Sequence, residues 1–204
     1  MTNDFQNSAL ILVDIQNDFC PGGALAVEEG DQIVEVVNRL MPHFPLVIST
    51  QDWHPANHVS FKAQGGPWPP HCVQGTRGAD LHTALNTEPI AHYLRKASSP
   101  GKDDYSEFEG KDELGRSLDE VLKSHAVKRI FAVGLATDYC VLATVLDGLK
   151  LGYGVVAVTD AMRAVNVEPE DGDKALRRMS EVGALLVTSD EILQRGEPAG
   201  TAAR

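Results

Sequence analysis

Six short, mostly unbroken apolar runs, separated by segments of helical spacing, constrain this chain more than any other feature. The runs cover residues 9–15, 46–50, 92–96, 129–133, 155–159 and 184–188. Each is too short for an ordinary helix, and the lack of polar alternation marks strands buried on both faces. Between them, Ile33, Val36, Val37 and Leu40, then Leu114, Leu118, Val121 and Leu122, then Leu142, Val145, Leu146 and Leu149 recur at helical spacing. A further helix is expected from near Pro169 to about Val182, with Pro in its first turn and Gly183 after its end. Strands that alternate with helices form a parallel sheet covered on both sides. The expected fold is therefore α/β: a doubly wound, mainly parallel six-stranded sheet with helices on both faces, a three-layer sandwich. With no repeat and no linker, residues 1–204 are expected to form a single domain. The small, polar stretch 196–204 is expected to fray.

One region breaks the rhythm. Residues 51–89 are rich in Pro, Gly, His and Trp and far exceed an ordinary connection. Loops of that length in compact domains are usually functional or disordered, and the aromatic and histidine content argues against disorder. Within it, Asp52-Trp53-His54 places a carboxylate and an imidazole two residues apart, on one side of an extended segment, with His58 and His71 following. One oxygen and two or three nitrogens suit a divalent transition metal, Zn²⁺ first and Fe²⁺ or Mn²⁺ after it, better than Mg²⁺ or Ca²⁺. His43, His82, His92 and His125 have no such company and read as surface or satisfied core residues.

Parallel sheets place ligand sites beyond the carboxyl ends of their strands. There the sequence sets Asp14 after the first run, Asp52 and His54 after the second, Lys96 at the end of the third and Cys140 after the fourth. Taken singly, each has a structural explanation: a cap, a solvated lysine, a buried thiol. Their coincidence at one sheet edge points to chemistry. A cysteine at the start of a helix is a nucleophile candidate, because the positive end of the helix favours its thiolate and leaves backbone N–H groups to hold an oxyanion.

Composition narrows the partners. A net charge of -11 and a pI near 5.0 oppose binding to nucleic acid or an anionic membrane, so a small-molecule ligand is expected. The three cysteines, Cys20, Cys72 and Cys140, form no even set and no CxxC pair, which fits a reducing cytoplasm. Neither a basic-then-apolar leader nor an apolar run near the roughly 20 residues of a membrane span is present. A homo-oligomer is left open.

Four motifs together give the chain a resemblance. They are Val13-Asp14-Ile15-Gln16-Asn17-Asp18-Phe19, Thr50-Gln51-Asp52-Trp53-His54, Trp68-Pro69-Pro70-His71-Cys72-Val73-Gln74-Gly75-Thr76 and Gly134-Leu135-Ala136-Thr137-Asp138-Tyr139-Cys140-Val141. In this combination, over roughly residues 9–187, the chain resembles the nicotinamidases, which include the pyrazinamidases, within the isochorismatase-like cysteine hydrolases.

The resemblance implies a catalytic triad of Asp14, Lys96 and Cys140, and a metal held by Asp52, His54 and His71, with His58 as a further ligand. It also implies an oxyanion hole from the backbone of Ala136 and Cys140, a cis peptide at Leu135–Ala136, and ring contacts from Phe19 and Trp68. The substrate it implies is nicotinamide, hydrolysed through a thioester to nicotinate and ammonia in the salvage of NAD. Relatives commonly carry Lys-Gly where Lys96 here precedes Ala97, and Lys102 stands nearby as a rival. Counting back from Asp104-Tyr105-Ser106-Glu107-Phe108, which resembles a family element, favours Lys96. Two other readings compete: a metal-free amidase or isochorismatase-type hydrolase of the same superfamily, and a non-enzymatic metal-binding domain.

Overall fold

Alternate residues of the first strand point into two different cores, and this divides the molecule into three layers. The structure, a computed structural model, describes residues 5–196. The leader reading at residues 1–4 and the expected fraying beyond residue 196 lie outside them. Six strands form one sheet: β1 Ser8–Val13, β2 Val47–Asp52, β3 His92–Lys96, β4 Arg129–Leu135, β5 Gly154–Arg163 and β6 Leu185–Val187. Their spatial order is β3-β2-β1-β4-β5-β6 and every pairing is parallel. The chain thus winds outward from β1 in one direction and from β4 in the other. The doubly wound α/β sandwich expected from the alternation is present.

Leu10 and Leu12 of β1 pack with α1 (Ile33–Leu40) and with Ile192 of α5 (Ser189–Gly196) on one face. Ala9, Ile11 and Val13 pack on the other face with α2 (Leu118–Ser124), α3 (Leu142–Lys150) and α4 (Asp171–Glu181). Two faces of burial explain why the central strands read as continuous apolar runs. The edges depart from that expectation. Leu185 of β6 is 61% exposed and Tyr93 of β3 is 40% exposed, because an outer strand lacks cover on its free side.

Several boundaries also differ from the sequence reading, each for a local reason. β1 stops at Val13 and not at residue 15, because Asp14 takes φ 45°, a left-handed conformation that ends an extended run. Leu114 lies outside α2 and is 78% exposed; Gly115 at φ 77° breaks the chain there. The helix begins instead after Ser117, which forms a reciprocal capping box with Glu120. α4 begins at Asp171, because Glu170 at φ 68° is not helical. β5 extends to Arg163, past the expected residue 159, and α5 was absent from the periodicity reading.

The segment after β2 carries no regular element longer than a single turn before β3. Hydrogen bonds order it. Gln16 accepts the Asp52 N–H at 2.8 Å and donates to the carbonyls of Asp52 and Ala79, while the Asp18 carboxylate accepts the Cys72 N–H at 2.7 Å. A bridge between His54 and Val73 then folds the two ends of the histidine segment together. Among the described residues, no helix is long and apolar enough to cross a membrane.

Candidate active site and metal cluster

The winding direction reverses between β1 and β4, and a doubly wound sheet opens a crevice beyond the carboxyl ends of the strands at such a point. Asp14 follows β1, Cys140 follows β4, Asp52 ends β2 and Lys96 ends β3. Asp52 and Lys96 are register partners, so their side chains leave neighbouring strands side by side. β4 delivers the cysteine through a tight passage. Gly134 takes φ 121°, and a Cβ there would lie 2.0 Å from the carbonyl oxygen of Val13, so only glycine lets β4 run this close to β1. The Leu135–Ala136 peptide that follows is cis, and one wide π-helical turn, Thr137–Val141, carries Cys140 into α3.

At the centre lies the Lys96 ammonium, fully buried. It donates to Asp14 Oδ2 at 2.6 Å, forms a short hydrogen bond with Asp52 Oδ1, and stands 3.7 Å from Cys140 Sγ. Glu107 Oε1 is 3.4 Å away on a further side. Lys102, the rival, is 60% exposed and paired with Asp104 and Glu109. The count back from Tyr105 therefore selects the lysine that the fold buries. Ala97 adopts φ 50°, which explains why a glycine suits the position after this lysine.

Burial and charge compete at each of these groups. Burial pushes the Cys140 thiol well above its usual range, against the opposing pull of Lys96, so the resting group is a thiol. Asp14 is raised by burial despite Lys96, which makes it a stronger proton acceptor than a free carboxylate. At Asp52 burial is outweighed by Lys96 and His54, and the carboxyl lies below its usual range. Lys96 is opposed by burial but held as an ammonium by Asp14 and Asp52.

Asp52, His54 and His71 each present one donor atom within 4.8 Å of the others. His54 Nε2 lies 3.3 Å and His71 Nε2 4.0 Å from Asp52 Oδ2. Both ring nitrogens of His54 are buried without a hydrogen-bond partner, a costly state that a bound cation relieves. His71 donates Nδ1–H to the Pro69 carbonyl at 2.8 Å, leaving the Nε2 lone pair facing Asp52. Burial also lowers the His71 pKa, so its ring is neutral, as a ligand must be. These residues fit a divalent transition metal. His58 stacks on His54 with ring centroids 4.1 Å apart, but its nitrogens are engaged by Ser60 Oγ at 2.7 Å and the Lys102 carbonyl at 2.9 Å.

Beside Cys140 is a small cavity of about 30 Å³, lined by Phe19, Trp68, Tyr105, Tyr139, Ala136, Asp52 and His71 among others. Trp68 donates Nε1–H to Tyr105 Oη at 3.1 Å and meets Tyr139 edge-on. A larger cleft of about 730 Å³ runs along the outer side of β3 past Tyr93, Arg95 and Lys111, but neither Cys140 nor the metal cluster lines it. The chemistry belongs to the smaller space. Sequence reasoning did not single out Tyr139, Gln16 or Glu107. The first two lie inside the four quoted motifs and Glu107 inside the quoted segment from Asp104 to Phe108, but its place against Lys96 is a tertiary contact.

A parallel α/β sheet that gathers a cysteine, a carboxylate and a buried lysine beside a metal-ligand cluster defines a cysteine hydrolase. The Isochorismatase domain model matches residues 8–191, and the chain belongs to that family. It is 46% identical over 200 residues to the nicotinamidase of Escherichia coli (strain K12), covering 88% of this chain and 94% of the relative. The pyrazinamidase of Pyrococcus horikoshii in complex with zinc is 44% identical, with TM-score 0.80, covering 89% of this chain and 99% of that one. PnC1 from L. infantum in complex with nicotinate is 37% identical, with TM-score 0.85, covering 93% and 96%.

Proposed function

We infer that this protein is a nicotinamidase, an amidohydrolase that converts nicotinamide to nicotinate and ammonia. The observation that carries the reading is the single buried ammonium of Lys96 joining Asp14 to Cys140 at the wall of an aromatic pocket that also contains metal-ligand residues. The similarity to curated nicotinamidases over most of the chain supports it. Pyrazinamide, a ring of the same size and polarity, is a second substrate.

In this reading Asp14 takes the proton of the Cys140 thiol while Lys96 stabilises the charge that develops on sulfur. The thiolate attacks the carboxamide carbon, and the backbone N–H groups of Ala136 and Cys140 hold the oxyanion. Asp14 returns its proton to the leaving nitrogen, the C–N bond breaks and ammonia departs. Asp14 next accepts a proton from water, whose oxygen attacks the thioester carbon; the C–S bond breaks and the acid is released. Phe19 and Trp68 supply flat walls for the ring. Asp52, His54 and His71 would hold a divalent transition metal, with zinc as the first choice, which would supply a Lewis acid for the ring nitrogen and help to orient the carboxamide. The whole chain works as one domain, and its acidic surface and free thiols suit the cytoplasm.

The test is ammonia release by metal-loaded protein from nicotinamide, pyrazinamide and benzamide, each with and without chelator. Nicotinamide and pyrazinamide are turned over, chelation slows both, and benzamide, which lacks the ring nitrogen, is a poor substrate in either arm. No ammonia from nicotinamide would end the reading; benzamide turned over as fast as nicotinamide would remove the metal from it.

A further inference from the structure

Glu107 is fully buried, carries chemistry and has no part in the mechanism above. Its carboxyl oxygens are sealed from solvent without a hydrogen bond of good geometry, and Oε1 lies 3.4 Å from Lys96 Nζ. The backbone around it is fixed. The Glu107 N–H donates to Thr144 Oγ1 of α3 at 3.1 Å, one turn beyond Cys140, and Ser106 Oγ accepts the Phe108 N–H. Paired backbone hydrogen bonds between Arg95 and Lys111, 2.9 Å each, tie the end of this segment to β3 itself. The segment therefore spans from the strand that carries the lysine to the helix that follows the cysteine.

A lysine ammonium sits on a flexible four-carbon stem, so its position depends on what surrounds its head. Asp14 and Asp52 each take one hydrogen bond from the Lys96 ammonium, and Glu107 Oε1 faces the same nitrogen from a further side. We propose that Glu107 is a positioning residue for the reaction, its carboxyl group fixing the Lys96 ammonium between Asp14 and Cys140. Two carboxylates already outweigh the single ammonium, and a third buried negative charge would add to the uncompensated excess, so the group serves as a neutral acid offering an oxygen. Burial, with Asp14 close by, raises the Glu107 pKa well above the ordinary carboxyl range, in agreement with that role.

The proposal rests on the nicotinamidase reading, and the experiment separates the two. Glu107→Met keeps the length and removes the oxygen; Glu107→Gln keeps an oxygen without charge. Each is compared with the parent, metal-loaded, for kcat and KM on nicotinamide and for bound metal by elemental analysis. Glu107→Met is expected to lower kcat at least tenfold with KM and metal content within threefold, and Glu107→Gln to recover most of the loss. Parent kcat in Glu107→Met, equal impairment of both variants, or a loss of metal parallel to the loss of rate would each overturn the proposal. Should Glu107→Met fail to fold, Thr144→Ala, which releases the Glu107 N–H, decides in its place. Lowered kcat at unchanged KM supports the positioning role, and parent kcat refutes it. A parent protein inactive on nicotinamide would refute the function instead.

Discussion

The ammonium of Lys96 lies 3.7 Å from the sulfur of Cys140, and both groups are buried. The same nitrogen donates to Asp14 at 2.6 Å, so one cation joins the proposed nucleophile to its proposed base. Burial alone would leave the thiol inert, since it raises the pKa far from neutrality. In the proposed mechanism the lysine and the carboxylate make a transient thiolate accessible without requiring one at rest.

The nucleophile is the first assignment to test. Cys140→Ala abolishes ammonia release while leaving the circular dichroism spectrum and bound metal unchanged, because no neighbouring group can form the thioester. Cys20 and Cys72 are buried thiols raised above their ordinary range, chiefly by burial, and Cys20→Ala and Cys72→Ala retain substantial activity. Hydrolysis by Cys140→Ala at the parent rate would sink the mechanism.

Lys96 and Lys102 make a matched pair. Lys96→Ala removes the cation at which Asp14, Asp52 and Glu107 meet, and lowers turnover by several orders of magnitude. Leaving buried carboxylates uncompensated also costs about 3–5 kcal/mol of stability, visible as a lower midpoint in urea. Lys102→Ala removes a solvent-exposed pair and leaves both readouts near the parent values. The reverse outcome would move the site to a loop lysine.

For the metal, Asp52→Ala, His54→Ala and His71→Ala each lower occupancy and weaken nicotinamide binding. His58→Ala retains metal more fully than these three, because its nitrogens are spent on Ser60 and the Lys102 carbonyl. Elemental analysis after dialysis checks all of this. Full occupancy in an Asp52→Ala, His54→Ala double variant would place the metal elsewhere.

Stability should follow pH through Glu107. Its folded pKa is raised above the ordinary 4.5, so above that pH the folded state keeps a proton that the unfolded chain releases. The contribution is fully present below pH 4.5 and declines as pH rises toward the folded value. Glu107→Gln cannot ionise in either state. Its Tm relative to the parent therefore climbs in calorimetry as pH rises above 4.5. A gap that stays flat as pH rises above that value would mean that Glu107 is ionised in the fold.

Periodicity by itself determined the α/β class, the parallel sheet and the approximate place of the strands, because burial on both faces leaves uninterrupted apolar runs in the central four. Motif and spacing brought Asp14, Asp52, His54, His71 and Cys140 forward as candidates, since chemistry at the end of a parallel strand follows from strand direction alone. The tertiary structure decided what depends on contacts between distant residues. It chose Lys96 over Lys102 by burying one and exposing the other, gave the nitrogens of His58 to Ser60 and a backbone carbonyl, and set Glu107 against the lysine from a segment eleven residues downstream. It also ended β1 at Asp14 and left β6 partly exposed, through a left-handed residue and an uncovered sheet edge. A sequence records which groups a strand or loop carries; which of them share one buried charge is settled only when the strands pair and their ends converge.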